Sequence, residues 1–167
     1  MPDLRPVFLV SGALVAAFGA LMGFPLLLDL FAPDPVDREN WAAFATGAII
    51  SISVGGGVAI ASSGPIKQLG VREGFLIVAL SWTALVACAA IPFSLGSFKL
   101  SYADAFFEAM SGLTTTGSTV MSGLDDAPPG ILLWRSMLQW LGGVGIIIMA
   151  FKLNTILRLC IAHSISS

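Results

Sequence analysis

Charge is what this chain has least of. Only 11% of its 167 residues are Asp, Glu, Lys or Arg, while 56% are hydrophobic and the mean hydropathy is +0.91. A soluble domain carries about 25% charged residues, so the shortage excludes an ordinary water-soluble fold and places the chain in the membrane class. The 8 basic residues form no patch, which argues against nucleic acid as a partner. Reactive side chains are equally scarce, with 1 His and 2 Cys. His163 stands in a polar tail and is read as solvated. Cys88 falls mid-span and Cys160 in the last segment, so both are read as small apolar fillers rather than as a bridge. The sequence offers no Ser/His/Asp set, phosphate loop or metal-ligand cluster, and so points to neither an enzyme nor a bound cofactor.

Long apolar runs are what it has in abundance. A membrane span needs roughly 20 predominantly apolar residues. Val7–Phe31 qualifies, with its single charge, Asp29, at the far end. Trp41–Ser63 and Phe75–Phe98 carry none, and Ile131–Phe151 carries Arg135 near its start. Each reads as a helix, because lipid offers the backbone no partners. The first run exceeds the roughly 7–15 residues of a cleaved signal's apolar region. With the N-terminus in the cytoplasm, Arg5, Lys67, Arg72, Lys152 and Arg158 fall inside, and Arg38, Lys99 and Arg135 outside. That positive-inside bias sets the expected orientation. Gly19, Gly23 and the stretch "VGGGVA" (Val54–Ala59) have the small-residue spacing of helix contacts.

The connection between the third and fourth runs is neither a span nor an ordinary loop. It opens "SYADAFFEAMSGL", with Ser101 as an N-cap and Asp104 in the capping-box position. Ala103, Phe106, Phe107 and Met110 follow at helical spacing until Gly112 breaks the pattern. A helix over Tyr102–Gly112 of about 11 residues spans roughly 16 Å, half the hydrocarbon core. Then comes "TTTGST", Thr114–Thr119. A half-length helix followed by polar irregular backbone is the pattern of a re-entrant segment, tolerated only in protein or beside a wet cavity. The helix's C-terminal end favours a cation. The carbonyls and Thr hydroxyls beyond it are hard oxygen ligands, and Gly117 permits the positive φ that turns successive carbonyls to one side. The expected fold is therefore an all-α membrane protein: four transmembrane helices plus one re-entrant pore helix and filter loop between the third and fourth. A non-conducting four-helix membrane scaffold or assembly protein is the alternative.

"DAFFEAMSGLTTTGSTV" followed by "PPGILLWRSMLQWLGGVGIIIMA" closely resembles the first pore repeat of the Trk/Ktr/HKT potassium transporter superfamily, its TrkH-like branch in particular. The resemblance implies four covalently linked repeats, of which one is present, preceded by an N-terminal helix pair. It divides the chain into 1–66 (helix pair), 67–153 (helix, pore loop, helix) and 154–167 (a short tail outside the family pattern). It implies that the carbonyls of Thr115, Thr116, Gly117 and Ser118 line an ion path, with potassium held at Thr115 and Thr116. Gly142, Gly143 and Gly145 would face the pore from the inner helix. Retention of Gly117 leans toward potassium over sodium. By the same resemblance the protein sits in a bacterial inner membrane, its full-length form dimerises, and a cytosolic nucleotide-binding subunit regulates it. A second, third and fourth filter motif are missing, and "FKLNTILRLCIAHSISS" departs from the family, so a truncated or frameshifted product is expected.

Two charges near the loop have competing readings. Glu108 either braces the loop from behind, paired with Arg135, or reaches water in the outer mouth; an acid at that depth is costly unless paired. Arg135, near a span's end, can snorkel or serve as that partner. Asp125 and Asp126 are read first as the turn before Pro128-Pro129 and second as a cation-concentrating field at the mouth.

Overall fold

A computed structural model describes residues 4–32, 40–64, 71–124 and 127–166, with backbone alone at 71 and from 149 onward. Seven helices account for most of these residues: α1 (Arg5–Leu21), α2 (Gly23–Leu30), α3 (Trp41–Ala61), α4 (Val71–Ala89), α5 (Ile91–Leu95), α6 (Tyr102–Leu113) and α7 (Pro129–Ser166). Among the described residues, four stretches are long and apolar enough to cross a membrane: Arg5–Leu30, Trp41–Ala61, Arg72–Leu95 and Pro129–Ile148.

Two of the four runs are bent where the apolar pattern reads straight through. The first breaks at Met22, because Pro25 has no N–H to return to the Leu21 carbonyl. The third breaks at Ala90, because Pro92 likewise leaves the Cys88 carbonyl without its helical donor. The fourth run does the opposite. Its helix does not stop near Phe151 but continues to Ser166. The segment read as a tail contains neither Pro nor Gly to end it.

Helix α1 lies between α3 and α4 and touches both. Its contact with α3 is backbone against backbone. A Cβ added at Gly12 would lie 2.7 Å from the Gly55 carbonyl oxygen, and one at Gly55 would lie 2.6 Å from the Ala16 nitrogen. A Cβ at Gly19 would lie 2.7 Å from the Ser51 Cβ and 3.0 Å from the Ile52 nitrogen. Lipid gives no hydrophobic push between helices, so close approach of this kind is what holds them. Gly23, Gly56 and Gly57 face open space instead. On the α4 side the buried hydroxyls of Ser11 and Ser81 pair at 2.8 Å.

The core gathers where the bends meet the fourth span. Trp134 is fully buried, stacks edge-on to Phe18 and Phe44, and donates its indole N–H to the Ala89 carbonyl at 3.1 Å, beside the α4 break. Two buried polar clasps brace the same region. The Asp29 carboxylate, at the end of α2, accepts the Gly130 N–H at 2.7 Å. That amide is among the orphan donors of α7's first turn, where the helix dipole favours an anion. Asn40, just before α3, accepts the Ser97 N–H at 2.7 Å. Large apolar side chains such as Ile60, Phe75 and Trp140 point outward, as lipid-facing residues do.

Candidate functional site

Helix α6 begins as its sequence requires. The Ser101 hydroxyl accepts the Asp104 N–H at 3.2 Å and donates to the Asp104 carboxylate at 2.7 Å, satisfying an orphan donor of the first turn. Tyr102 donates its hydroxyl to the Ala87 carbonyl at 2.9 Å, tying the start of α6 to α4.

Its other end differs from expectation. Gly112 stays inside the helix, with the Leu138 Cβ only 3.1 Å from where a Cβ of its own would stand. The helix closes one residue later through a Schellman pattern. Thr115 N–H bonds to the Gly112 carbonyl at 3.0 Å, and Thr116 N–H to the Ser111 carbonyl at 3.0 Å. The left-handed position of that motif usually holds glycine. Here it holds Thr115, at φ 59°, a β-branched residue for which that conformation costs about 1–2 kcal/mol. Gly117, two residues on, also has positive φ, 78°.

The loop is anchored from behind by one carboxylate. Glu108 is 1% exposed. Its Oε2 accepts the Thr119 hydroxyl at 3.0 Å and the Val120 N–H at 3.1 Å. Its Oε1 lies 2.6 Å from Arg135 Nε, an ion pair out of line for a hydrogen bond. Of the two readings for each charge, the structure adopts the pair. A carboxylate buried alone would cost several kcal/mol, and the guanidinium is the charge that offsets it. Thr119 in turn accepts the Met121 N–H at 3.0 Å.

On its outer side the loop exposes backbone. Residues 115–120 are exposed. Among the described residues, the carbonyls of Thr114, Thr115, Thr116 and Gly117 accept no hydrogen bond, whereas the Ser118 carbonyl receives the Ser111 hydroxyl at 2.6 Å. The Thr114 hydroxyl donates to the Met110 carbonyl at 2.8 Å and lies 2.9 Å from the Thr116 hydroxyl. A run of unpaired carbonyls at a helix C-terminus concentrates partial negative charge that suits a hard cation.

The three glycines of α7 separate by position. Gly142 is buried beneath the end of α6, where any Cβ would collide with the Leu113 carbonyl. A Cβ added at Gly143 would lie 3.8 Å from the Thr115 Cγ2, and Gly145 faces open space. Asp125 and Asp126 lie outside the described residues, as do the side chains of Cys160 and His163. Sequence reasoning passed over Ser111 and the Asp29–Gly130 clasp. Ser111 stands three residues after Glu108, on the same helix face. A second polar side chain on that face was the available signal. For Asp29 the signal was an acid at the end of a span, costly unless partnered.

Four candidate spans, with a capped short helix and a carbonyl-exposing loop between the third and fourth, define a multi-pass helical membrane protein. The family model described as TrkH, cation transport protein, matches residues 41–158, and the chain belongs to that family. It is 40% identical over 149 residues to the Trk system potassium uptake protein TrkH of Halomonas elongata, and 41% identical over 154 residues to that of Escherichia coli K12. The match covers 89% and 92% of this chain but only 30% and 31% of those relatives. The chain thus spans about a third of the length of the curated relatives it matches. The crystal structure of the potassium transporter TrkH from Vibrio parahaemolyticus superposes with a TM-score of 0.83 at 37% identity, over 91% of this chain and 32% of that one.

Proposed function

We propose that this chain carries one filter segment of a potassium-translocating TrkH-like protein and acts as part of a larger assembly. The observation that carries the reading is the row of unpaired carbonyls from Thr115 to Gly117. It stands at the C-terminal end of a half-length helix, with Glu108 gripping the loop from behind. In this reading α6 is a re-entrant pore helix and Thr114–Thr119 the filter. Thr115, Thr116 and Gly117 replace water around a dehydrated potassium ion, and Gly143 and Gly145 line the path below. Residues 1–66 form a helix pair, 67–153 the repeat, and 154–167 a terminal extension.

One such segment cannot surround an ion, so conduction requires further filter segments, from the rest of a longer protein or from other copies. The N-terminus lies in the cytoplasm of a bacterial inner membrane, following the positive-inside bias. The full-length protein dimerises and answers to a cytosolic nucleotide-binding subunit, as the resemblance implies. Proteoliposomes loaded with potassium, and holding this segment within an assembly that supplies the further filter segments, test the core of this. The expected result is potassium and rubidium flux exceeding sodium flux, lost in Gly117→Asp, which adds a carboxylate at a left-handed backbone position. Stable folded protein with no cation flux, or flux indifferent to Gly117→Asp, overturns it in favour of a scaffold.

A further inference from the structure

We infer that Ser111 decides which loop carbonyls are offered to a cation, withholding Ser118 and leaving Thr115, Thr116 and Gly117. The inference rests on the reading of the loop as a filter. Ser111 belongs to α6 rather than to the loop, yet it makes three bonds across it. Its hydroxyl donates to the Ser118 carbonyl at 2.6 Å, and its own carbonyl accepts the Thr116 N–H at 3.0 Å and the Gly117 N–H at 3.3 Å. One residue therefore grips the chain on both sides of Gly117. At 5% exposure it is shielded from water that would compete for the hydroxyl.

The two kinds of bond do different work. The N–H bonds are part of the cap that ends α6, and they come from the Ser111 backbone. Any residue at this position keeps them. The hydroxyl bond sits near the short end of the usual 2.5–3.0 Å range for O–H···O, and it turns the Ser118 oxygen back toward α6. An oxygen engaged that way is not free to join the three unpaired carbonyls before it around a cation. The number and field strength of converging carbonyls are what a filter can use to discriminate alkali cations. Ser111 is thus a positioning residue: it never touches the ion, and it fixes the count of oxygens that do. Removing the hydroxyl frees the Ser118 carbonyl to swing outward and add an oxygen, while the cap of α6 stays in place. A residue needed only for folding would change stability and leave ion preference untouched.

The test uses the same assembly in proteoliposomes, with an isotope label on the Ser118 carbonyl of this segment. Ser111→Ala is expected to raise the labelled infrared stretch, as a lost hydrogen bond does. It is also expected to lower potassium-over-sodium discrimination roughly two- to tenfold, the factor one ordinary hydrogen bond carries. Ser111→Thr, which keeps the hydroxyl, is expected to preserve both. Should Ser111→Ala fail to fold, Ser111→Cys, with its weaker S–H donor, is read the same way. An unmoved stretch overturns the inference alone, as does unchanged discrimination in a conducting variant. A wild-type assembly, complete in its filter segments, that passes no cation overturns the filter reading, and this inference with it.

Discussion

The seam between α1 and α3 and the seam between α6, its loop and α7 solve one problem with opposite materials. At the first, Gly12, Gly19 and Gly55 let two backbones touch, and the fit is steric. At the second, Glu108, Arg135, Thr119 and Ser111 wire helix, loop and span together through charge and hydrogen bonds. Lipid rewards neither with hydrophobic energy. Shape suffices where two helices need only stay together. The polar seam achieves something shape alone does not: it holds irregular, exposed backbone whose carbonyls from Thr114 to Gly117 stay unpaired among the described residues. Gly142 shows that the polar seam also needs close approach, since the Leu113 carbonyl occupies the space a side chain there would take.

That contrast can be broken from either side. Glu108→Ala is expected to have the largest effect, a loss of about 3–5 kcal/mol, because it strands Arg135 without its counter-charge. Unfolding in detergent measures the loss. Adding Arg135→Leu restores part of that stability but leaves Thr119 and Val120 without their acceptor, so the loop stays unanchored. Full recovery of both stability and cation flux in the double variant would show that the charges do no positioning. Gly55→Ala comes next, at about 1–3 kcal/mol of overpacking, read by the same unfolding assay. It should leave ion selectivity alone if the glycine seam is purely a joint, and a changed selectivity would erase the distinction between the seams. Thr115→Gly is the smallest and has the opposite sign. It relieves about 1–2 kcal/mol of left-handed strain and returns roughly 0.5–1 kcal/mol as lost chain entropy, for a net gain of about 0–1.5 kcal/mol. Destabilisation instead would mean that the Thr115 side chain contributes more than its conformation costs.

Much of this arrangement was legible in order of sequence distance. The spans follow from hydropathy alone, and the Ser101–Asp104 cap is a three-residue pattern. The candidate pair Glu108–Arg135 could be named because both charges sit in otherwise apolar sequence. The bends at Met22 and Ala90 escaped because Pro25 and Pro92 lie within apolar runs whose composition still reads as one span. The end of α6 was misplaced because Gly112 is the residue expected to terminate a helix, and the structure instead spends that glycine on packing against Leu138 and puts a threonine in the strained position. The Asp29–Gly130 clasp joins residues a hundred positions apart, and nothing local marks them as neighbours.

Trp134 carries a consequence for how the molecule is made. Synthesis proceeds from the amino end, so Phe18, Phe44 and Ala89 are in the bilayer before the indole that engages all three has left the ribosome. Until then the early spans lack the side chain that packs against Phe18 and Phe44 and bonds to Ala89, and the fourth helix supplies it as a keystone closes an arch.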